Sequence, residues 1–438
     1  MQPFASTTRL RGIDVGLLSV IDSKSLSLLC ADGFHLKNLG VFMIQQRRAM
    51  LKHAMHGGVL GVLSSSGLAS WAQTSNPPAV STPSSATETR LFAPVVADWR
   101  TFDVTTRVDI QDRKGATRVW LPLPSLQTPW QETLGHEFQS NGRSEMGNVH
   151  QEGAKILSTT FDASVDSAFV QVTTRVRTKN RQTQWADIKD AKVAPGQGLY
   201  FTPEAPSTLA YYTRATRWLP TDGIVKTTAQ EATRGAHSPE EKVRALYDWV
   251  VKNTYREPKV LGCGEGDIKT MLETGNLGGK CADINAVFVG LCRSLGLPAR
   301  DVYGLRLVPS HFSYKELSGN PANLSGAQHC RSEVYLPHRG WVAMDPADVA
   351  KVMRQETSSW IKELNHPVVK PVYASLFGGW EGNWVGWNTT HDVVLPGTRE
   401  RDPLPFLMYP IAENDLGRFD SYAPDQFKYK ITAKEILS

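Results

Sequence analysis

The 438-residue chain predicts an α+β core preceded by an all-β domain. Three observations predict it. Apolar residues alternate from Phe102 to Ile110 and recur in two later stretches, as strands with one buried face require. A capped amphipathic helix begins at Ser238. A cysteine at the start of a second helix is followed by a hairpin that opens on a histidine.

The elements follow in order. Residues 1–42 read as a doubtful N-terminal extension, with Met43 the expected initiator. Arg47-Arg48-Ala49-Met50-Leu51-Lys52 resembles the twin-arginine export motif, and a weakly apolar stretch rich in Gly and Ser runs from Ala54 to Ala69. Small residues at Ser70 and Ala72 fit a signal-peptidase site after Ala72. Residues 43–72 therefore read as a cleaved signal, and the mature protein is expected in the periplasm or outside the cell, with no transmembrane span. Residues 73–90, rich in Ser, Thr, Pro and Ala, read as a linker.

Residues 91–217 read as the β-rich domain. Phe102, Val104, Thr106, Val108 and Ile110 point one way, and Arg118 to Pro124 and Ala168 to Val176 are further strands. Residues 236–350 read as the core. Ser238-Pro239-Glu240-Glu241 is a capping box with proline at the first helical position, and Val243, Leu246, Trp249 and Val250 are its expected buried stripe. Residues 351–438 are expected to pack on the core.

The chemistry lies in the core. After Cys281, the residues Ile284, Val287, Phe288, Leu291 and Leu295 mark one face of a helix that Gly296 and Pro298 end. Cys281 thus sits at a helix N-terminus, where the dipole and free N–H groups favour a thiolate. Those N–H groups can also hold an oxyanion, and Lys280 adds positive charge. His329 opens the strand Arg331 to Leu336; Pro337 to Gly340 turns it, and Trp341 to Met344 returns to Asp345. The hairpin brings His329 and Asp345 to one edge, where a carboxylate can fix the imidazole tautomer.

These residues resemble the transglutaminase-like superfamily, whose core is papain-like. The matching motifs are G-G-K-C-A-D-I-N-A-V-F-V-G-L-C-R-S-L-G-L-P-A-R from Gly278, H-C-R-S-E-V-Y-L from His329 and G-W-V-A-M-D-P-A-D from Gly340. The resemblance implies Cys281 as nucleophile, His329 as general base and acid, and Asp345 as the orienting acid. Arg331 stands where many members carry an aromatic residue on the substrate side of the cleft. The R-V-W-L-P-L-P phrase is similar to the β domain that precedes the core in bacterial members.

Composition narrows the function. Hydrophobic residues are 41% and charged residues 21%, as in an ordinary soluble protein, and a formal charge of +5 offers no argument for nucleic acid. Of five cysteines, Cys30 lies in the extension. Cys292, 11 residues after Cys281 and so about 16 Å along the axis, is expected in the core. Cys263 and Cys330 can pair in an oxidising compartment. A zinc site of Cys263, Cys281, His329 and Cys330 is a weaker reading, because no C-x-x-C or H-E-x-x-H is present. No calcium loop is seen, and no cofactor is expected. In the tail, Trp380, Trp384 and Trp387 either line a peptide groove or, preferably, pack; His391 reads as structural.

The expected function is an exported cysteine enzyme acting on amide bonds of a peptide or protein substrate through a thioester. Acyl transfer, proteolysis and amide hydrolysis all remain open. The alternative is a non-catalytic envelope binding module on the same fold.

Overall fold

The computed structural model describes residues 90–111, 114–149, 153–185, 203–424 and 427–437. The extension with Cys30, the export signal and all of the linker but Arg90 lie outside the described residues.

Six strands open the described chain: β1 (Arg100–Asp109), β2 (Thr117–Leu123), β3 (Gln131–Ser140), β4 (Arg143–Val149), β5 (Ala154–Phe161) and β6 (Phe169–Thr178). On β1, Phe102, Val104, Thr106 and Val108 are buried and the residues between them are not, so the period of two places one face in the core. β1 pairs antiparallel with β6 along its whole length, with Val104 opposite Thr174.

Four further strands form the sheet of the core. They are β7 (Ala299–Arg306), β8 (Arg331–Leu336), β9 (Gly340–Met344) and β10 (Trp384–Asn388), arranged β9-β8-β7-β10. Two helices pack with this sheet. In Pro239–Asn253, Ser238 Oγ accepts from the Glu241 N–H at 3.1 Å and Glu241 Oε2 accepts from the Ser238 N–H at 2.9 Å. Such a reciprocal cap contributes about 1 kcal/mol. Its buried residues are Val243, Leu246, Tyr247, Val250 and Val251. Tyr247 takes the inward place expected for Trp249, which is half-buried. The second helix, Cys281–Ser294, is buried from Cys281 to Arg293, so it is the central rod of the core rather than a one-faced helix.

The tail, read as one part packing on the core, divides. β10 joins the core sheet, whereas β11 (Ile411–Asn414), β12 (Gly417–Arg418) and β13 (Tyr429–Ile436) complete the β domain. The two outer sheets run β13-β1-β6-β3 and β12-β11-β2-β5-β4. Pairing partners far apart in sequence leave no local pattern, so residue order alone misplaces these strands.

β domain and core are tied by buried polar groups. Gln131 exchanges two hydrogen bonds with the Gly386 backbone, at 2.8 and 2.7 Å. Glu333 on β8 receives Arg300 at 2.7 Å and also Arg181, which follows β6. The aromatic groove is overturned. Trp380, Trp384 and Trp387 are buried, and Trp130 meets Trp380 edge-on with centroids 5.1 Å apart. These rings are core, as their Gly-spaced backbone allows close layers around them. Among the described residues, no helix is long and apolar enough to cross a membrane.

Candidate active site

Cys281 begins its helix as the sequence predicts. Asp283 organises that start. Its Oδ2 accepts the Lys280 N–H, and its Oδ1 accepts those of Glu265 and Gly266, each at 2.9 Å. The loop bearing Cys263 is thereby drawn over the helix end. Gly264 in this loop has φ +88°, and a Cβ there would lie 1.8 Å from Asp283 Oδ2. Only glycine fits. The Ala282 N–H is taken by the Cys263 carbonyl at 2.9 Å. Of the helix-start donors expected for an oxyanion, this one is therefore occupied.

The hairpin brings His329 and Asp345 together. His329 Nε2 and Asp345 Oδ2 are 2.8 Å apart. Tryptophan donors hold the main chain beside both: Trp384 Nε1 donates to the His329 carbonyl at 2.8 Å, and Trp380 Nε1 to the Met344 carbonyl at 3.3 Å. The His329 N–H donates to the Gly304 carbonyl on β7 at 3.0 Å. Asp345 Oδ1 caps the helix Pro346–Gln355 by accepting the Asp348 N–H at 3.0 Å, and Asn285 Nδ2 lies 3.4 Å from the same oxygen.

The groups that act on the Cys281 thiol are Cys263, Cys330 and His329, through hydrogen bonding and, for His329, through charge. With Nε2 facing Asp345, Nδ1 is the ring nitrogen turned away from that carboxylate. Cys281 is 3% exposed and His329 4%. Burial alone pushes the Cys281 thiol up, but these hydrogen bonds and the imidazolium charge outweigh it and hold the thiol well below its usual value. Burial and Arg306 push the His329 ring down, yet Asp348 and Asp345 prevail and raise it to about 9. Cys263 and Cys330 go the other way: burial, then the neighbouring Cys281 thiolate, pushes both well up. These shifts favour a thiolate at Cys281 and an imidazolium at His329, the form in which a thiol is nucleophilic.

Of the charged groups around the pair, Arg306 carries no sequence flag, whereas Asp348, three residues after Asp345, is the rival acid that the sequence offers. Arg306 sits 2.5 Å from Asp348 Oδ1, and Asp348 Oδ2 is 3.3 Å from His329 Nε2. Arg331 does not line a cleft wall. It is buried, with Nε 3.6 Å from Asp345 Oδ2 and its guanidinium 4.7 Å from the Trp384 ring centroid. The sequence does mark Asp348, at the third position of a helix capped by Asp345, Arg331, as a departure from the family pattern, and Cys263, inside the glycine-rich Leu261 to Gly266.

All four described cysteines are free, so Cys263 and Cys330 are not paired. Among the described residues, the group with three ligand atoms within 4.8 Å of one another is His329, Asp345 and Asp348, not the cysteine set read from sequence. Arg306 and Arg331 already face those carboxylates, so a dication would have to displace guanidinium groups. His391 keeps a structural place, buried with Nε2 3.4 Å from Asp301 Oδ2.

A helix-start cysteine and a hairpin histidine in one α+β core define a papain-like class of fold. Residues 226–346 match the family model of the transglutaminase-like superfamily. An uncharacterised protein of Haemophilus influenzae is 35% identical over 334 residues, which are 74% of this chain and 87% of that protein. Among solved structures, a proposed cysteine protease from Cytophaga hutchinsonii is 15% identical, covers 77% of this chain and 99% of its own, and has a TM-score of 0.42. The periplasmic domain of TgpA from Pseudomonas aeruginosa is 15% identical, covers 58% and 91%, and has a TM-score of 0.30. The chain belongs to the transglutaminase-like superfamily.

Proposed function

We propose that this protein is an exported cysteine enzyme that acts on amide bonds of a peptide or protein in the cell envelope. The observation that supports the reading is the His329–Asp345 pair, 2.8 Å apart, in one core with Cys281 at a helix start. Cys281 attacks the amide carbonyl. The His329 proton passes from Nδ1 to the leaving amine, and a thioester remains. Water or a second amine, deprotonated by the same Nδ1, resolves it. Asp345 keeps the other ring proton on Nε2 throughout.

Iodoacetamide tests the pair directly. Alkylation of Cys281 should proceed at full rate well below the ordinary thiol value of about 8.5. Turnover should fall on the alkaline side near 9, where His329 loses its proton. The sign follows from the roles: below the lowered thiol value the nucleophile is protonated, and above about 9 the acid is gone. Alkylation that instead rises with a midpoint at about 8.5 or above would remove the activated thiol.

The second reading is a binding module without turnover, and the near-complete burial of Cys281 favours it. Incubation with a glutamine-containing peptide and an amine, read by mass, separates the two. Amine incorporation or peptide cleavage supports the enzyme. Bound but unchanged peptide supports the module.

For export, Arg47→Lys with Arg48→Lys should trap the precursor in the cytoplasm. Normal periplasmic yield from that variant would assign export to another route.

A further inference from the structure

We propose that Asp348 is a second positioning residue for His329, aimed by Arg306, so that two carboxylates rather than one hold the imidazole. The proposal rests on the enzyme reading above.

Its grounds are geometric. Asp345 is already shared. Its Oδ2 faces His329 Nε2 at 2.8 Å and Arg331 Nε at 3.6 Å, and its Oδ1 accepts the Asp348 N–H at 3.0 Å. Asp348 divides its oxygens differently. Oδ1 goes to Arg306 at 2.5 Å, and Oδ2 is left 3.3 Å from the same Nε2. One ring N–H therefore lies between two carboxylate oxygens.

Local structure explains the pairing. Asp345 is the N-cap and Asp348 the third residue of one helix, so both carboxylates stand at its first turn. Arg306 ends β7, the strand whose Gly304 carbonyl holds the His329 N–H, and Arg306 NH1 also donates to the Leu317 carbonyl at 3.2 Å. The group that aims Asp348 and the group that fixes the His329 backbone are thus on one strand, two residues apart. The charges balance as well: the Cys281 thiolate, Asp345 and Asp348 face His329, Arg306 and Arg331. All six side chains are buried. Without Asp348, three cations would share two anions in a dry site, and the proton of His329 would be the easiest charge to lose.

In the reaction the Nε2–H never leaves. The proton that moves is on Nδ1, passing to the leaving amine and returning from water or the second amine. Asp348 acts by holding the ring at the angle that keeps Nδ1 on the sulfur and by stabilising the imidazolium.

The test follows His329 by histidine ¹⁵N NMR and Cys281 by iodoacetamide rate, across pH, on the full chain without substrate. The charged and titratable groups facing the ring are Cys281, Asp345, Asp348, Arg306 and Arg331. Asp348→Asn should lower the His329 midpoint by about one pH unit or more. Asp348→Glu should restore most of that shift. In an Asp345→Asn background, adding Asp348→Asn should slow neutral-pH alkylation at least about tenfold further.

An unshifted midpoint in Asp348→Asn, or no further loss in the double variant, would reduce Asp348 to a partner of Arg306. Should Asp348→Asn not fold, the wild type still decides. Its Asp348 carboxyl ¹³C signal should show an inflection with the His329 midpoint, and its absence overturns the proposal. None of these readings needs turnover. If no amide is ever processed, the enzyme reading fails while the hold of Asp348 on His329 is still measured.

Discussion

Cys281→Ala removes the proposed nucleophile and should reduce turnover to background, a loss on the order of 10⁶-fold if the three residues act as a unit. The fold should survive. The side chain loses only a sulfur, and a change of that size in a core costs on the order of 1 kcal/mol. The variant also isolates the label. Cys263 and Cys330 are pushed well up by burial and by the neighbouring thiolate, and burial drives Cys292 up as well. Protein lacking residues 1–72, and with them Cys30, should therefore take one iodoacetamide adduct at neutral pH and the same protein carrying Cys281→Ala none, by intact mass. Undiminished turnover together with an unchanged melting curve would reject Cys281 as nucleophile.

The second large effect is structural. Trp384→Ala should destabilise the protein by about 3–5 kcal/mol, the scale of an emptied aromatic site. Trp384 is 1% exposed and packs against Trp130, Trp380 and the Arg331 guanidinium. Its Nε1–H also satisfies the His329 carbonyl. Trp384→Phe separates the two roles. It keeps most of the volume, loses the donor and should cost roughly 1–3 kcal/mol through the unpaired carbonyl. Urea unfolding measures both. A rise in KM with normal stability would instead restore the aromatic groove that burial of these rings argues against.

Legibility in the sequence followed the range of the signal. The helix after Cys281 and the hairpin from His329 to Asp345 are each specified within about 20 residues, by periodicity and by turn chemistry. The structure has them at Cys281–Ser294, Arg331–Leu336 and Gly340–Met344. β3 and β4 were not legible. Their residues are mostly half-buried or exposed, so no alternation marks them. Arg306 was invisible for another reason. An arginine in a strand is ordinarily a solvated residue, and only the fold sets it against Asp348. The same holds for Arg331, which reads as a substitution in a wall and is instead a buried cation between aromatic rings and a carboxylate.

The last strand has a consequence for how the molecule is made. β13 closes the open side of β1, and the Arg100–Glu435 ion pair across them joins residues 335 apart. Closing a loop of that length costs about 5 kcal/mol more than closing one between adjacent residues. During synthesis β1 and β6 can pair early, but the far edge of β1 stays bare until β13 has emerged. A bare edge is a template for any passing strand. A chain lacking β13 would keep its cysteine, histidine and acid yet carry this adhesive edge.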